Sequence, residues 1–490
     1  TDLIEFLSEV RQCISLLGPI HKLFIETLLQ IKWTNRSVEA ASAYQAFLED
    51  LICMQIHHAK YVIDNLIEQF KPGMKYENTE WEGGKCKEED VQRLNRIHDV
   101  LKKIIKVVPM SSKLLLQSLR ARFPYIIHGT HTHEVYVYAL LQILDYAPQF
   151  MIVIFYFYHC RLMILDVNIP RLEANTGDED LMDDSSECEG ILGNENSAPD
   201  DDNVEETNTI HPIAHKLDIC MELILKYMHN YCFVDGVLQI ESLKSLYFDI
   251  LQIFETVILP THASQYVQYI MFYICSFKTA VAEAFVDRLW RKVSDPNVPS
   301  IIRQSSVSYI ASLLATATFI TPILVKVVQS RMSNWIHNYI AMQHHSSYID
   351  VETKEHGVFY SMCQALFFIF FNFVSDMLYL QELDLAKIIT CKLNPLKACH
   401  PDIVHNFADV MRMYQLAYCY TIIENNTRSQ LPIFNSKCTI TPTVDNFFPF
   451  SSYTLPQSRQ RLHSILRETA ISNKSRSTAK HKEDIEYMTE

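Results

Sequence analysis

Apolar residues recur three or four positions apart along most of the chain, which is the period of a helix with one buried face. In the stretch from Ser294 to Ala315, Asp295 and Pro296 precede an apolar stripe that includes Ile302 and Ile310. An acidic residue and a proline before such a stripe are typical of a helix start. The pattern predicts a helix here and similar helices over most of the sequence.

Prolines and polar loops divide these helices into blocks. The first block runs from Asp2 to Phe70, the second runs from Val91 to Val167, and helices resume at His215. Several later breaks are about 40 residues apart. They fall at Pro260, Pro296 to Pro299, Pro322, Asn394 to Pro395, and Pro401. This spacing predicts stacked helix pairs, because a single helical hairpin cannot cover its own apolar face.

Small residues within the first stretch point to the same architecture. A helix that only had to be stable in water would favour Ala, Glu and Lys on its outer turns, but this one has Ser305 and Ser306. The stretch resembles the second helix of a HEAT repeat, in which an Asp precedes a Val-Arg-like step, here Ile302 and Arg303, and then a pair of small residues. The resemblance implies that neighbouring repeats pack closely and that Arg303 ties one turn to the next.

The composition favours helices over sheets. The 490 residues include 10 Gly and 18 Pro, while 48% are aliphatic, aromatic or cysteine. Glycine and proline supply most tight turns, so β-hairpins should be scarce. We therefore predict an all-α fold, namely a HEAT-repeat-like α-solenoid of stacked antiparallel helix pairs.

One segment carries all of the net acidity. Fourteen acidic residues and no Lys or Arg lie between Glu173 and Glu206, whereas the rest of the chain has 43 residues of each sign. Such a block buries too little apolar surface to order itself, so we predict a disordered insertion over 173–210. It would either keep the protein soluble or act electrostatically, by repelling nucleic acid or binding a basic partner.

The insertion separates the predicted units of the chain. N-terminal HEAT-like repeats occupy 1–172 and C-terminal HEAT-like repeats occupy 211–425. A C-terminal extension with a polar tail occupies 426–490, and its composition from Gln457 onward predicts disorder.

The cysteines and two apolar runs indicate the cellular compartment in which the protein resides. Thirteen cysteines, none in a C-x-x-C pair, lie mostly in apolar helical runs and indicate reduced core residues of a cytosolic or nuclear protein. The runs FMIVIFYFY (150–158) and LFFIFFNFV (366–374) are about half as long as the roughly 20 residues of a membrane span. We interpret both as core helices and expect neither a membrane association nor a secretion signal.

Catalytic and metal-binding patterns are missing from the sequence. It has no P-loop, G-x-G-x-x-G, H-E-x-x-H or G-x-S-x-G. The string HGTHTHE (128–134) and the pair His211 and His215 have zinc-ligand side chains, but no third and fourth partner stands at a readable spacing. We interpret these histidines as loop and cap residues, and we predict no enzyme activity, no cofactor and no metal.

Two further patterns are candidate contact or modification sites. Arg288, Arg291 and Lys292 in DRLWRKV could contact phosphates of DNA, although a solvated helix face is the favoured interpretation. Ser186 precedes acidic residues and Ser464 lies in the basic string RLHSIL, so both are candidate phosphorylation sites.

Long strings over most of the chain closely resemble the RNA polymerase I-specific transcription initiation factor family. They include LPTHASQYVQYIMFYICSF, AEAFVDRLWRKVSDPNVPSIIRQSSVSYIASLLA, CKLNPLKAC and NFFPF, together with VVPMSSKLLLQSLRARFPYI upstream. The resemblance implies a non-catalytic HEAT-repeat adaptor of the nucleus and nucleolus. It would bind RNA polymerase I near its stalk, bridge it to promoter-bound core initiation factors, and respond to protein kinases.

The family places a polymerase-binding patch of serines on N-terminal helices. Ser111 aligns with one of them, Ser112 lies beside it, and Ser118 could extend the patch. A neutral hydroxyl surface can lie flush against a partner, and a phosphate there would disrupt an interface with acidic neighbours. Alternatively, Ser111 caps the helix after Pro109.

The sequence leaves DNA contact, dimerisation and one alternative function undecided. Where the family tends to carry Arg and Lys, this chain has Thr316 and Thr318, and the helix that ends near Asn372 lacks a basic stretch. Direct contact with DNA and a homodimer of the free protein are left undecided. A generic HEAT scaffold, such as a transport receptor or a phosphatase regulatory subunit, is the alternative function.

Overall fold

The computed structural model describes residues 2–72, 81, 86–108, 110–170, 211–262, 264–343, 355–373, 381–430, 448 and 453–467. The predicted disorder of 173–210 and the candidate phosphorylation site Ser186 lie outside these residues. The predicted boundaries between units stay predictions.

Twenty α-helices make up the described fold. In chain order, α1 to α20 are Asp2–Gln12, Lys22–Leu29, Val38–Met54, Ala59–Glu68, Glu88–Val107, Ser111–Arg122, Thr130–Tyr146, Met151–Val167, Pro212–Cys232, Ile240–Ile253, Tyr269–Ser276, Thr279–Ser294, Ser300–Thr316, Pro322–Gln343, Gly357–Asn372, Leu385–Ile389, Pro395–Ala398, Pro401–Met413, Cys419–Gln430 and Pro456–Leu462.

The first ten helices stack in two layers. One layer runs α1, α3, α5, α7, α9, and the other runs α2, α4, α6, α8, α10, with each helix packed on the next of its own layer. Contacts between the layers, such as α3 with α4 and α9 with α10, close each pair. The stack continues through α13, α15 and α18. The predicted all-α solenoid of helix pairs is confirmed.

The hydrophobic core is continuous between the helices on either side of residues 171–210. Helix α9 packs directly on α7 and α8. Hydrogen bonds also join the two sides. For example, Tyr158 Oη donates to Cys220 O at 2.8 Å, and Lys216 Nζ donates to Ile126 O at 2.7 Å. The helices before and after the insertion therefore form one packed unit.

The small residues of α13 lie where neighbouring helices approach. Ser306, Ser308 and Ser312 are buried, and α13 packs on both α12 and α15. Ser306 Oγ donates to Ile302 O at 2.7 Å, so its hydroxyl is satisfied within the helix. Arg303 Nε donates to Val293 O at 2.8 Å and ties α13 to the last turn of α12. Both structural roles inferred from the HEAT resemblance are thus present.

One β-hairpin interrupts the helices. Strands β1 (Phe233–Val234) and β2 (Val237–Leu238) pair antiparallel between α9 and α10. Asp235 and Gly236 connect them with φ of 49° and 75°. The dipeptide Asp-Gly is the preferred sequence for such a turn, so FVDGVL held a hairpin signal that the helical interpretation overlooked.

Most described residues of the two apolar runs are buried in the solenoid. In α15, all residues from Phe359 to Phe370 are buried. The segment Pro148–Val167 is long and apolar enough to cross a bilayer by length and composition, but 61% of its most apolar window is buried against the protein. Buried core helices of large helical proteins meet the same criteria of length and composition. These criteria alone are therefore weak evidence for a membrane-spanning helix.

The prediction of disorder from Gln457 onward is wrong for residues 457–467. Helix α20 packs on α9, and Leu462 is fully buried. Beyond it, Arg467 N donates to Thr316 O at 2.7 Å, and the Arg467 guanidinium lies 4.6 Å from the Phe373 ring. Composition alone misled here, because contacts with α9, with the end of α13 and with Phe373 after α15 order this polar segment.

Candidate interaction surface

The predicted serine patch lies on α6, and two of its three members are buried. Ser111 is fully buried, and its hydroxyl donates to Val108 O at 2.5 Å and to Ile104 O at 3.3 Å. It is the first residue of α6 and caps no backbone N–H, so the alternative that Ser111 caps this helix is wrong. Ser111 therefore joins α6 to the end of α5 instead of facing a partner.

Ser118 also faces inward. It is 3% exposed, and its hydroxyl donates to Asp64 Oδ1 on α4. Ser112 is half-buried and remains at the surface, and the neighbouring Lys113 and Arg120 of α6 are exposed. The structure thus reduces the accessible part of the predicted patch to Ser112, whose role in binding stays a prediction.

Beside α6, helix α8 presents an apolar stripe to solvent. Val153, Tyr156, Ile164 and Val167 are 44–46% exposed, although the opposite face of the same helix is core. Their spacing places them along one face of the helix, and Cys160 lies between them. A helix that is apolar on every side is expected to be buried all round, so its open face indicates a contact surface.

Arginine side chains join α6 and α8 into one surface. Burial raises the pKa of the Cys160 thiol on α8, and the charges of Arg120 on α6 and of Arg161 act in the opposite direction. The Arg161 guanidinium lies 5.7 Å from the ring of Phe123, the residue after α6, and α6 packs on α8. We call Ser112, Arg120 and the exposed α8 residues Val153, Tyr156, Ile164 and Val167 the α6–α8 surface.

The α8 stripe was missed from sequence. Its residues belong to FMIVIFYFYHCRLMILDV, whose near-complete apolar character indicated burial without indicating which face would stay open. The hydrophobic period identifies a stripe only when polar residues mark the other side, and α8 has few.

Two of the three predicted phosphate-contacting cations are already paired. Arg288 makes a bidentate contact with Glu255 at 2.7 and 3.0 Å, and Lys292 Nζ lies 3.3 Å from the same carboxylate. Burial opposes ionisation of Glu255, but hydrogen bonds and charge from Arg288 and Lys292 leave its pKa lowered overall. Arg291 is exposed on the same helix and is the cation of this group that remains available to a phosphate.

Ser464 is exposed at the end of the docked C-terminal segment. Its carbonyl accepts a hydrogen bond from Thr318 Oγ1 at 2.9 Å. The side chain is thus reachable by a kinase while the backbone is held against the end of α13. Phosphorylation at this site stays a prediction.

The histidines considered for zinc have other partners. His131 Nδ1 lies 3.2 Å from Glu134 Oε2, while His133 Nδ1 contacts Gly129 O at 3.1 Å and His211 Nδ1 accepts from Ile213 N at 3.3 Å. Glu134 Oε2 also accepts from the backbone nitrogen of Trp81. Over the described ranges, His, Cys, Asp and Glu side chains form no group of three suited to a metal.

Comparison with known proteins agrees with the resemblance seen in the sequence. The family model described as RNA polymerase I specific transcription initiation factor RRN3 matches residues 1–469. RNA polymerase I-specific transcription initiation factor RRN3 of Mus musculus is 33% identical over 94% of this chain and 75% of the relative. The factor of Schizosaccharomyces pombe is 23% identical over 93% of this chain and 77% of the relative.

A solved structure supports the same fold. The crystal structure of RNA polymerase I transcription initiation factor Rrn3 superposes with a TM-score of 0.72 at 19% identity, covering 95% of this chain and 89% of that chain. At this identity the likeness shows the fold, while the family follows from the sequence matches. The names of these relatives describe a non-catalytic role, in line with the prediction that the chain is not an enzyme. The chain belongs to the RNA polymerase I-specific transcription initiation factor RRN3 family.

Proposed function

We propose that this protein is a nuclear adaptor that binds RNA polymerase I through the α6–α8 surface and bridges it to promoter-bound core initiation factors for ribosomal RNA synthesis. The names of its relatives support a role with RNA polymerase I in initiation. The same proposal has three further parts. The protein contacts the polymerase near its stalk, it acts in the nucleolus, and it forms a homodimer when free.

The open apolar face of α8 carries the proposal. Four large apolar side chains lie exposed on α8, and α8 packs against α6, which carries exposed cations and the Ser112 hydroxyl. Interfaces of this kind combine an apolar centre with a polar rim. A rigid stack of helices holds such a face in fixed geometry, which suits it to dock a large complex.

Phosphorylation would regulate this docking at Ser112. A phosphate adds about −1.5 to −2 charge at neutral pH and would have to be desolvated beside the apolar stripe when a partner covers it. Because the Ser112 side chain is partly exposed, its modification is compatible with the fold. Ser186 and Ser464 are further candidate sites within this proposal.

The test is co-purification with RNA polymerase I. We expect Tyr156→Glu with Ile164→Glu, and separately Ser112→Asp, to lower the polymerase retained by the tagged protein at least tenfold. The control Val327→Glu changes an apolar residue of similar exposure, 41%, on α14 and should retain binding. Circular dichroism and the melting temperature should match the unchanged protein in all variants. Retained binding by the α8 variant would reject the α6–α8 surface.

The generic HEAT scaffold is the weaker alternative. A transport receptor or a phosphatase regulatory subunit would retain transport cargo or phosphatase subunits in the same experiment. The family match over residues 1–469 favours the initiation factor, because HEAT scaffolds of other functions share only the helix-pair architecture.

A further inference from the structure

A second exposed apolar cluster lies at the N-terminal end of the solenoid. It is formed by the connection between α1 and α2 and by the connection between α3 and α4. We call its residues the N-terminal patch: Leu16, Ile20, Leu23, Met54 and Ile56, which are 73%, 94%, 78%, 57% and 51% exposed.

Hydrogen bonds hold the two connections together. Gln55 Nε2 donates to Ser15 O at 2.9 Å and to Ile14 O at 3.2 Å. A few residues on, His58 Nε2 lies 3.0 Å from Leu17 O, and both of these residues are buried. Met54 and Ile56 flank Gln55 in sequence, and Leu16 follows Ser15, so these hydrogen bonds bring the backbone at Met54 and Ile56 close to the backbone at Leu16. The patch is therefore one surface on a fixed backbone.

The packing of the described fold does not explain why the N-terminal patch is apolar. Single apolar residues at a protein surface are ordinary. Here five large ones lie on two chain segments that hydrogen bonds hold together, so they form one apolar area. Beneath them, Ile25 and Leu28 of α2 fill the core, so the outer residues are not needed to close it. Such areas in folded proteins mark sites of contact with another molecule.

The charge around the patch has one predominant sign. Lys22, Lys60, His21 and His57 are exposed there. Between residues 12 and 31 and between 51 and 63, Glu26 is the one acidic residue. Asp50, one turn before Met54 on α3, is paired with Arg11 at 2.6 Å. The Glu26 carboxylate lies 3.6 Å from Lys22 Nζ, which in turn lies 4.7 Å from the ring of Tyr61 on α4. An apolar centre with a cationic rim favours a ligand that is apolar and acidic.

We propose that the N-terminal patch docks an acidic amphipathic helix of another protein. Leu, Ile or Phe side chains on one face of that helix would cover Leu16, Ile20 and Leu23, and Glu or Asp beside them would pair with Lys22 and Lys60. This is the helix-in-groove mode of peptide recognition, with charge setting the partner and its orientation. The site is separate from the α6–α8 surface and does not depend on polymerase docking there.

A lipid surface fits the patch less well. Electrostatic binding to anionic membranes generally uses clusters of 4–8 Lys or Arg, each worth about 1 kcal/mol. Lys22 and Lys60 are the two permanent cations at the patch. The short turns around residues 14–21 also lack the long helical face that lies along a bilayer.

Two designed peptides test the proposal on the full chain. Both are 18-residue helices with Leu and Phe at i, i+3, i+4 and i+7, and their remaining positions carry Glu in one peptide and Lys in the other. The basic peptide can also bind the acidic residues between Glu173 and Glu206, so the compared quantity is the binding that is lost in the variant Ile20→Glu with Leu23→Glu. Fluorescence anisotropy at moderate salt should show this part of the binding to be at least tenfold tighter for the acidic peptide than for the basic one. We expect Ile20→Glu with Leu23→Glu to weaken the acidic peptide at least tenfold.

A charge-reversal variant distinguishes a loss of peptide docking from a loss of folding. Lys22→Glu with Lys60→Glu leaves every apolar residue in place and should shift the preference toward the basic peptide. The control pair Ile323→Glu with Val327→Glu changes similarly exposed apolar residues of α14 and should leave acidic-peptide binding unchanged.

Several outcomes would overturn the proposal. They are equal binding of the two peptides, an effect of the α14 control equal to that of the patch variant, and binding of anionic vesicles in place of the acidic peptide. Sedimentation that shows a dimer dissociated by Ile20→Glu with Leu23→Glu would assign the patch to a second copy instead.

Discussion

Asp218 on α9 accepts a hydrogen bond from the backbone nitrogen of Ser458 at 2.8 Å, across 240 positions of sequence. Its other oxygen accepts from Gln457 N at 2.8 Å. The residue before α20, Leu455, has no side-chain acceptor, so the first-turn N–H groups of α20 are satisfied by a carboxylate from another helix. One turn further, Arg461 pairs with Glu222 at 2.6 Å. Helix α9 thus provides the binding site for the C-terminal segment.

Asp218→Ala is expected to loosen this segment. It leaves two buried backbone donors without a partner, which costs about 1–3 kcal/mol. Limited trypsin digestion should then cut at Arg459 and Arg461 faster, and the free energy of unfolding should fall by that amount. Glu241→Ala, which removes an exposed ion pair with Lys244, is the control and should change neither measurement. An unchanged cleavage rate in Asp218→Ala would contradict the capping role.

The three serines of α6 should respond differently to a negative charge. Ser111→Asp places a carboxylate against the carbonyls of Val108 and Ile104, and Ser118→Asp places one against Asp64. An unpaired buried charge costs about 3–5 kcal/mol, so both variants should be strongly destabilised in urea unfolding. Ser112→Asp, at the surface, should unfold within about 0.5 kcal/mol of the unchanged protein. A stable Ser111→Asp variant would show that this serine is accessible.

The sequence is sufficient to predict the stack of helix pairs, but it is insufficient to predict which side chains of each helix face solvent. Helical period, proline spacing and the small residues of α13 specify stacked helix pairs, because burial of a stripe is a local property of each helix. Whether Ser111 or Ser112 faces outward depends on the end of α5, and the open face of α8 depends on what α6 and α10 leave uncovered. The ordering of residues 457–467 depends on Asp218, which lies far away in sequence. Such long-range pairings leave no local pattern.

The close packing of α13 can be measured with a matched pair of variants. Ser305 and Ser306 both donate to the carbonyl four residues earlier, at 3.0 and 2.7 Å, but only Ser306 is buried. Ser306→Leu should therefore overpack the contact with neighbouring helices and cost about 1–3 kcal/mol. Ser305→Leu loses the same kind of hydrogen bond and should cost much less. Equal free energies of unfolding for the two variants would show that the helices do not pack closely at Ser306.

Direct contact of α12 with DNA would rest on Arg291. Arg288 and Lys292 share Glu255, so they have less charge to offer a phosphate. If DNA binds here, Arg291→Ala should reduce the slope of log K against log salt by about 1, and Arg288→Ala should reduce it less. Glu255→Gln should strengthen binding by releasing both cations. Salt slopes of both arginine variants equal to that of the unchanged protein would exclude α12 as a phosphate-binding helix.

Buried histidines predict a loss of stability in acid. Burial lowers the pKa of His98, His133 and His159 to about 4, from 6.5 in the unfolded chain. Between these values the unfolded chain binds protons that the folded chain excludes, so the free energy of unfolding falls as the pH drops from about 6.5 toward 4. Each group contributes up to about 3 kcal/mol at the acid end of this window.

His159→Leu tests the size of this effect at one site. His159 is fully buried, with Nδ1 2.7 Å from Phe155 O, so an apolar replacement removes a proton acceptor without exposing the core. Urea unfolding at several pH values between 7 and 4.5 should show a stability slope that is smaller by up to one proton than that of the unchanged protein. His405→Leu, at an exposed position, is the control. If the His159→Leu slope equals that of the unchanged protein, the acid sensitivity arises from other groups and burial of this imidazole does not drive it.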